Sequence, residues 1–117
     1  MTAAAHLVID SNDLDRVSAF WAGLLDLRVT GKEDDWIDLG PLGDGGPVLS
    51  FQRVPEAKQL KNRLHLDLAV PDFDAATARA GSLGAAPYGV VHGTGSSRWQ
   101  VWRDPEGNEF CLCSEPG

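Results

Sequence analysis

Three residues near the end of the sequence have side chains that can do chemistry. Glu109, Cys111 and Cys113 alternate with Phe110 and Leu112 in the stretch EGNEFCLC. This period of two is typical of a strand, so we expect one apolar face and one face that carries a carboxylate and two thiols. Residues two apart on a strand lie roughly 6–7 Å apart, too far for a relaxed disulfide. We therefore expect reduced thiols. On residue type alone Cys111 is a small packed side chain, and Cys113 has no assigned role.

Two histidines occupy equivalent positions in an internal repeat. The segment HLVIDSNDLD (6–15) aligns with HLDLAVPDFD (65–74) at a constant offset of 59 residues, so that His6 meets His65. Each histidine lies in a predicted strand, on the face opposite the most apolar row, which in the second half is Leu64, Leu66, Leu68 and Val70. A matched pair of imidazoles is a candidate for binding a divalent metal. The alternative is that both are polar residues that bind no metal.

The elements around these residues follow the same repeat. Each half of the sequence predicts a strand, a helix and three further short strands, which gives an α+β fold class with two repeated βαβββ modules. The first helix follows Ser11, Asn12 or Asp13 as its cap, and Asp72 caps the second, which stops near Gly84. The short strands are expected near residues 28–30, 36–39 and 48–52, and then near 88–92, 98–103 and 109–113. Between the last two, DPEGN (104–108) predicts a hairpin turn.

Length and composition indicate one domain. With 117 residues and 43% hydrophobic content, the chain can bury a core of its own. We place the first module at about residues 1–54, a linker at about 55–62 and the second module at about 63–117. The formal net charge of -7 argues against a nucleic-acid partner and is compatible with a cationic ligand. No secretory signal or membrane-spanning run is visible, so we expect a cytoplasmic protein with no membrane partner.

Three stretches carry a resemblance to a known superfamily. They are HLVIDSNDLDRVSAFWAGLLDLRV, NRLHLDLAVPDFDAATARAGSLGA and WQVWRDPEGNEFCL, which together cover nearly the whole chain. They resemble the vicinal oxygen chelate superfamily of glyoxalases, extradiol dioxygenases, fosfomycin resistance enzymes and bleomycin-binding proteins, and its glyoxalase-like branch most of all. The resemblance implies an open, eight-stranded barrel-like sheet around a cleft, a small-molecule ligand and a homodimer. One such fold hosts many chemistries, so the reaction does not follow from it.

The resemblance also implies where a metal would bind. Metal enzymes of this superfamily take ligands from the first and fourth strand of each module, and the matching positions here are His6, Ser50, His65 and Cys111. The glyoxalases have glutamate at both fourth-strand positions, whereas this chain has Ser50 and Cys111. We therefore take His6, His65 and Cys111 as candidate ligands for one divalent ion (Zn, Ni, Fe or Mn). No catalytic residue is assigned.

Four further residues are candidates for the wall of the substrate cleft. They are Ser50, Asp67, Trp99 and Glu109. Asp67 shares a strand face with His65, where it can orient a ligand or act as a base, or else simply face solvent. Trp99 and Trp102 have opposite strand parity, so at most one of them faces the cleft. Lys58, Lys61 and Arg63 form a basic cluster in the linker, which either receives a carboxylate or phosphate or is solvated.

Two functions remain open from the sequence. The first is a glyoxalase-like protein that binds a small organic substrate and uses a divalent metal for isomerisation, lysis or oxygenation. The second is a metal-free binding protein that sequesters a cationic antibiotic or metabolite, as the bleomycin-binding relatives do. The matched histidines favour the first, while the acidic charge and the missing glutamates favour the second.

Overall fold

The structure is a computed structural model, and it describes residues 5–114. The chain divides into two compact units, one that ends at Ala57 and one that begins at Lys58. The elements of the first unit are β1 (His6–Ser11), α1 (Leu14–Leu25), β2 (Val29–Glu33), β3 (Trp36–Pro41) and β4 (Val48–Arg53). Those of the second are β5 (Leu66–Val70), α2 (Phe73–Ser82), β6 (Ala86–Pro87), β7 (His92–Thr94), β8 (Ser97–Arg103) and β9 (Glu109–Ser114). The α+β fold class is therefore confirmed.

The first unit is a four-stranded sheet covered by α1. Its strand order is β1-β4-β3-β2, in which β1 and β4 run parallel and the other neighbours run antiparallel. The helix begins where predicted, because the carboxylate of Asp13 accepts a hydrogen bond from the backbone N–H of Arg16 at 3.1 Å. Its apolar stripe buries Val17 and Trp21 on the side that packs against β3 and β4.

The second unit is a five-stranded sheet accompanied by α2. Its strand order is β5-β9-β8-β6, and β7 also pairs with β8. The predicted cap is confirmed, because Asp72 accepts a hydrogen bond from the backbone N–H of Ala75 at 3.0 Å. Gly84, at a φ of +105°, follows the end of the helix in a conformation that favours glycine. Neither helix in the described part of the chain has the length and apolar content needed to cross a lipid bilayer.

Two expectations about the strands were wrong. The described residues form separate sheets of four and five strands, not one eight-stranded sheet. The segment 88–92 is not a continuous strand, because backbone bonding to β8 continues past Pro87 only as far as Tyr88, whose N–H donates to the carbonyl of Val101 at 2.9 Å. The side-chain amide of Gln100 bonds to the carbonyl of Gly89 at 2.9 Å in place of a backbone partner. Only β6 and β7, of two and three residues, flank this gap.

The second-half histidine also lies differently from expectation. His65 precedes β5 rather than lying within it, and Leu64, expected in the apolar row of that strand, is 73% exposed. The parity prediction for the tryptophans is confirmed. Trp102 is buried, whereas Trp99 is 43% exposed and stacks on His92 with ring centroids 4.1 Å apart.

Candidate functional site

In the first unit, strand pairing places His6 beside a buried serine and a carboxylate. β4 lies between β1 and β3, and Ser50 stands opposite Asp38 in the antiparallel register. The Oγ of Ser50 lies 2.9 Å from His6 Nδ1 and donates to Asp38 Oδ1 at 2.6 Å. Asp38 also accepts a hydrogen bond of 2.7 Å from the indole Nε1 of Trp36. Ser50 is therefore a bridge between an imidazole and a carboxylate.

The protons of this network have one consistent arrangement. The hydrogen bond from Ser50 is the main cause that holds the pKa of Asp38 below its ordinary value, so Asp38 is a carboxylate at neutral pH. A serine hydroxyl has one proton, and here Asp38 takes it. The Nδ1–H of a neutral His6 must then donate to Ser50 Oγ, which leaves the lone pair on Nε2. Because the His6 side chain is 45% exposed, Nε2 is available to a metal or a proton.

In the second unit, the register of β5 and β9 brings a carboxylate to two thiols. Asp67 stands opposite Cys111 in the parallel pairing, and Cys113 follows on the same face. A carboxylate oxygen of Asp67 and the two sulfurs all lie within 4.8 Å of one another. Sequence analysis assigned Cys113 no role, yet the structure groups it with two of the candidate site residues.

The thiol of Cys111 is strongly perturbed. Burial raises its pKa to about 12, with further increases from the neighbouring Cys113 and from the charge of Asp67. The side chain is only 6% exposed. Without a bound cation, Cys111 is therefore a protonated, packed thiol at neutral pH. A cation at this position would stabilise the thiolate and offset the same repulsion.

His65 lies next to this group rather than in it. Its Nε2 is 3.2 Å from Asp67 Oδ1, and both side chains are more than half exposed. A carboxylate that contacts one ring nitrogen of a histidine fixes the orientation of the ring and leaves the other nitrogen open. The expected shared face of His65 and Asp67 therefore brings the two side chains together.

The donor chemistry of Asp67, Cys111 and Cys113 fits a zinc-type ion. Zinc takes thiolate and carboxylate ligands in tetrahedral geometry, and a Zn–S distance of about 2.3 Å places two sulfurs about 3.8 Å apart. The observed spread, within 4.8 Å, requires the three ligand atoms to move together by about an ångström or less. Three protein ligands also leave one position for water or substrate, as in catalytic zinc sites.

Glu109 was expected beside Cys111 as a cleft residue, and the structure gives it other partners. The carboxylate lies 3.2 Å from Lys58 Nζ and accepts a 3.2 Å hydrogen bond from the backbone N–H of Asn62. Burial raises the pKa of Glu109, but the hydrogen bonds and the charge of Lys58 outweigh it, and the pKa lies below its ordinary value. Glu109 is therefore an ion-paired carboxylate at neutral pH rather than a free base.

Sequence reasoning missed Asp38 and the pairing of Lys58 with Glu109. The signal for Asp38 was present, because a single acid between the apolar Ile37 and Leu39 marks the polar face of a short strand. Lys58 and Glu109 are 51 residues apart, and no local periodicity connects them.

The sequence and the fold were compared with known proteins. The sequence profile described as "Glyoxalase-like domain" matches residues 6–113. No curated protein sequence matches the chain. Among solved structures, a glyoxalase/bleomycin resistance protein/dioxygenase family enzyme from Burkholderia phytofirmans PsJN is 18% identical, with a TM-score of 0.77 over 97% of this chain and 100% of that one.

Two resistance proteins have similar folds. The fosfomycin resistance protein FosX from Mesorhizobium loti is 19% identical, with a TM-score of 0.79 over 99% of this chain and 94% of that one. The bleomycin resistance determinant encoded on the transposon Tn5 is 21% identical, with a TM-score of 0.66 over 99% of this chain and 100% of that one. At these identities the likeness establishes the fold and leaves the reaction open.

Proposed function

Because this chain belongs to the glyoxalase-like domain family, we propose that it binds a small organic molecule and holds one divalent ion of the zinc type. Asp67, Cys111 and Cys113 supply the ligands in this proposal. The observation that carries it is the approach of three ligand atoms to within 4.8 Å in one unit. His6 and His65, assigned as ligands from the sequence, stay in the proposal as imidazoles that each keep one ring nitrogen for a metal or a proton.

The types of ligand in this site favour one of the candidate metals and, with it, two of the candidate reaction classes. Thiolates favour zinc over iron and manganese, which are more often held by imidazole and carboxylate ligands. Of zinc, nickel, iron and manganese, we therefore propose zinc, and of the three reaction classes we propose isomerisation or lysis rather than oxygenation. A bound zinc ion would polarise a substrate oxygen as a Lewis acid.

Within the first unit, His6 is proposed as a group that can accept a proton. Its Nε2 lone pair accepts a proton, and the imidazolium that results is stabilised by the Asp38 carboxylate 3.7 Å from Nδ1. Ser50 fixes the ring from its buried position between the two. Ser50 is not proposed as a nucleophile, since its hydroxyl donates its proton to Asp38 and accepts a hydrogen bond from the His6 imidazole instead of donating to it.

A metal-free binding protein is the second candidate function. It is favoured by the state of Cys111, a buried thiol whose pKa of about 12 opposes the thiolate form that a metal needs. The net charge of -7 suits a cationic ligand. The structural neighbour encoded on the transposon Tn5 is a bleomycin resistance determinant. This likeness is the reason for proposing an antibiotic or a metabolite as the cationic ligand.

Titration of the metal-free protein with Co²⁺ separates the two candidates. Cobalt replaces zinc in such sites, and thiolate ligation is expected to give an intense near-ultraviolet charge-transfer absorption that saturates near one ion per chain. Cys111→Ser and Asp67→Asn are expected to weaken or abolish the band. Asp10→Asn, which removes an exposed acid from β1, is the matched control and is expected to change nothing. Absence of a saturable band in the wild-type protein would favour the metal-free function.

Three other expectations stay proposals. We propose that the chain assembles as a homodimer, that it acts in the cytoplasm, and that its two halves are copies of one βαβββ module. Light scattering on the eluting peak of a size-exclusion column tests the first, with a mass near twice 12.6 kDa expected. A monomer mass across a concentration series would contradict it.

A further inference from the structure

We propose that a pocket of the second unit binds a small organic anion through a carboxylate or phosphate group. The pocket has a volume of about 330 Å³, and we call it the Tyr88 pocket. Its lining includes Tyr88, Arg103, Lys58, Lys61 and Glu109. This volume is at the lower end of the range for sites that take small molecules. The proposal does not depend on the metal, since Asp67, Cys111 and Cys113 are not among the lining residues.

Arg103 is the group that points to an anion. Its guanidinium carbon lies over the Tyr88 ring, 3.5 Å from the ring centroid, so the aromatic face helps to hold the side chain in place. Within residues 5–114, its buried Nε has no hydrogen-bond partner, and Nη2 is 3.9 Å from Glu109, too far for a hydrogen bond. A guanidinium carries five N–H donors in a rigid fork that matches carboxylate and phosphate. Arg103 is thus preorganised for an acceptor that the described residues do not provide.

The charge balance of the pocket leaves a positive surplus. Lys58 and Glu109 form a close ion pair with 3.2 Å between Nζ and the carboxylate, and Lys58 also bonds to the carbonyl of Leu60. Both side chains of this pair are largely buried, and the charge of Lys58 is balanced by that of Glu109. Lys61 is exposed and has no ion-pair partner in the described part of the chain. The lining therefore holds three cationic side chains against the single Glu109 carboxylate, an excess of two positive charges on a protein of net charge -7.

The apolar and aromatic surface of the pocket favours a ligand in which an organic group is attached to the anionic group. Tyr88 is 51% exposed, which leaves aromatic surface beside the guanidinium. Leu60, also in the lining, is highly exposed and adds apolar surface. An aromatic or aliphatic acid satisfies both kinds of contact, whereas an inorganic ion satisfies only the charges. Carboxylate and phosphate share the recognition chemistry, and the choice of probe distinguishes them.

The test is a titration of the full-length ¹⁵N-labelled protein at low ionic strength, followed by amide chemical shifts. The probes are benzoate, phenyl phosphate and inorganic phosphate, with neutral benzamide as the uncharged analogue. Saturable shifts around residues 58–61, 88 and 103 are expected with benzoate or phenyl phosphate, and weaker ones with inorganic phosphate. Benzamide is expected to give none. Equal shifts with benzamide, or no saturable shift with any anion, would overturn the proposal.

Three variants distinguish binding at the Tyr88 pocket from non-specific electrostatic attraction of anions to the protein. Arg103→Gln and Lys61→Gln are each expected to weaken binding of the better probe, by roughly tenfold for the loss of a charged hydrogen bond. Lys61 is exposed, so its variant tests the proposal even if Arg103→Gln fails to fold. Lys32→Gln makes the same charge change in an exposed pair with Asp15 and is expected to have little effect. Equal weakening by all three variants would mean unspecific attraction and would refute the site.

Discussion

Replacing Ser50 by alanine removes the hydroxyl that joins His6 to Asp38, and the structure allows the cost to be worked out. The hydroxyl makes two contacts, of 2.9 Å to His6 Nδ1 and 2.6 Å to Asp38 Oδ1. Ser50 is fully buried, so water does not reach its position freely. The variant leaves an imidazole and a carboxylate without the partner between them.

The expected loss lies below that of a fully buried charged hydrogen bond. Such a bond contributes about 1.5–3 kcal/mol to the free energy of unfolding. Asp38 and His6 are 28% and 45% exposed, so water replaces part of each lost contact. We therefore expect Ser50→Ala to lower the free energy of unfolding by about 1–2 kcal/mol at neutral pH. Asp38 keeps its hydrogen bond from Trp36, which limits the loss.

The pH dependence of this loss has a definite sign. The pKa of Asp38 lies below the ordinary value of 3.8, and the hydrogen bond from Ser50 is the largest cause. A carboxyl whose pKa is lowered by folding contributes stability that is present above its unfolded pKa. That stability is lost as the pH falls through the folded pKa. Removing Ser50 raises the pKa of Asp38, so the difference between variant and wild type is largest at neutral pH and shrinks as the pH falls below 3.8.

Urea denaturation at about pH 7 and about pH 3, with carboxyl NMR of Asp38, measures both effects. Ser18→Ala is the matched control. Ser18 is another buried serine, but its hydroxyl makes only a 3.3 Å bond to a carbonyl within α1, and alanine favours a helix. We expect the control to stay within about 0.5 kcal/mol of the wild type. An equal loss in both variants, or a loss from Ser50→Ala that grows in acid, would refute the reasoning.

Two other predictions concern a helix cap and the two thiols. Asp13→Ala removes the cap of α1 and is expected to lower the free energy of unfolding, measured by urea denaturation, by about 1 kcal/mol. Asp10→Ala, at an exposed strand position, is the control and is not expected to lower it. Equal urea midpoints for the two variants would contradict the capping role of Asp13. In metal-free protein at about pH 8, Cys113 is expected to react quickly with an aromatic disulfide reagent. Cys111 is expected to react only after denaturation, because it is buried and its pKa is about 12, and two equally fast thiols would contradict that environment.

Local pattern predicted much of the fold. The helical spacing and caps placed α1 and α2, and the alternation around Cys111 placed β9, because both signals lie within a few residues of the element itself. The prediction of a strand over 88–92 was wrong because its β-branched residues indicated a strand, whereas backbone bonding to β8 ends at Tyr88. Backbone pairing that depends on a side chain eleven residues away, such as the amide of Gln100 in its bond to residue 89, has no local signature.

The candidate site was predicted only in part, for a similar reason. The shared face of His65 and Asp67 followed from their spacing. The approach of Asp67 to Cys111 depends on the parallel register of β5 and β9, which the residues of either strand alone do not fix. The same holds for Asp38 and Ser50, which stand opposite each other in β3 and β4. Register, rather than residue type, is what the sequence left undetermined.

The most direct test of the central proposal is the zinc content of untagged protein purified under reducing conditions and then dialysed against zinc. We expect about one zinc per chain in the wild type and in Asp10→Asn, and a marked loss in Cys111→Ser and Asp67→Asn. Unchanged zinc content in both ligand variants would mean that the ion is held elsewhere. Zinc at background level in the wild type would contradict the metal site itself and leave the metal-free binding protein as the better account.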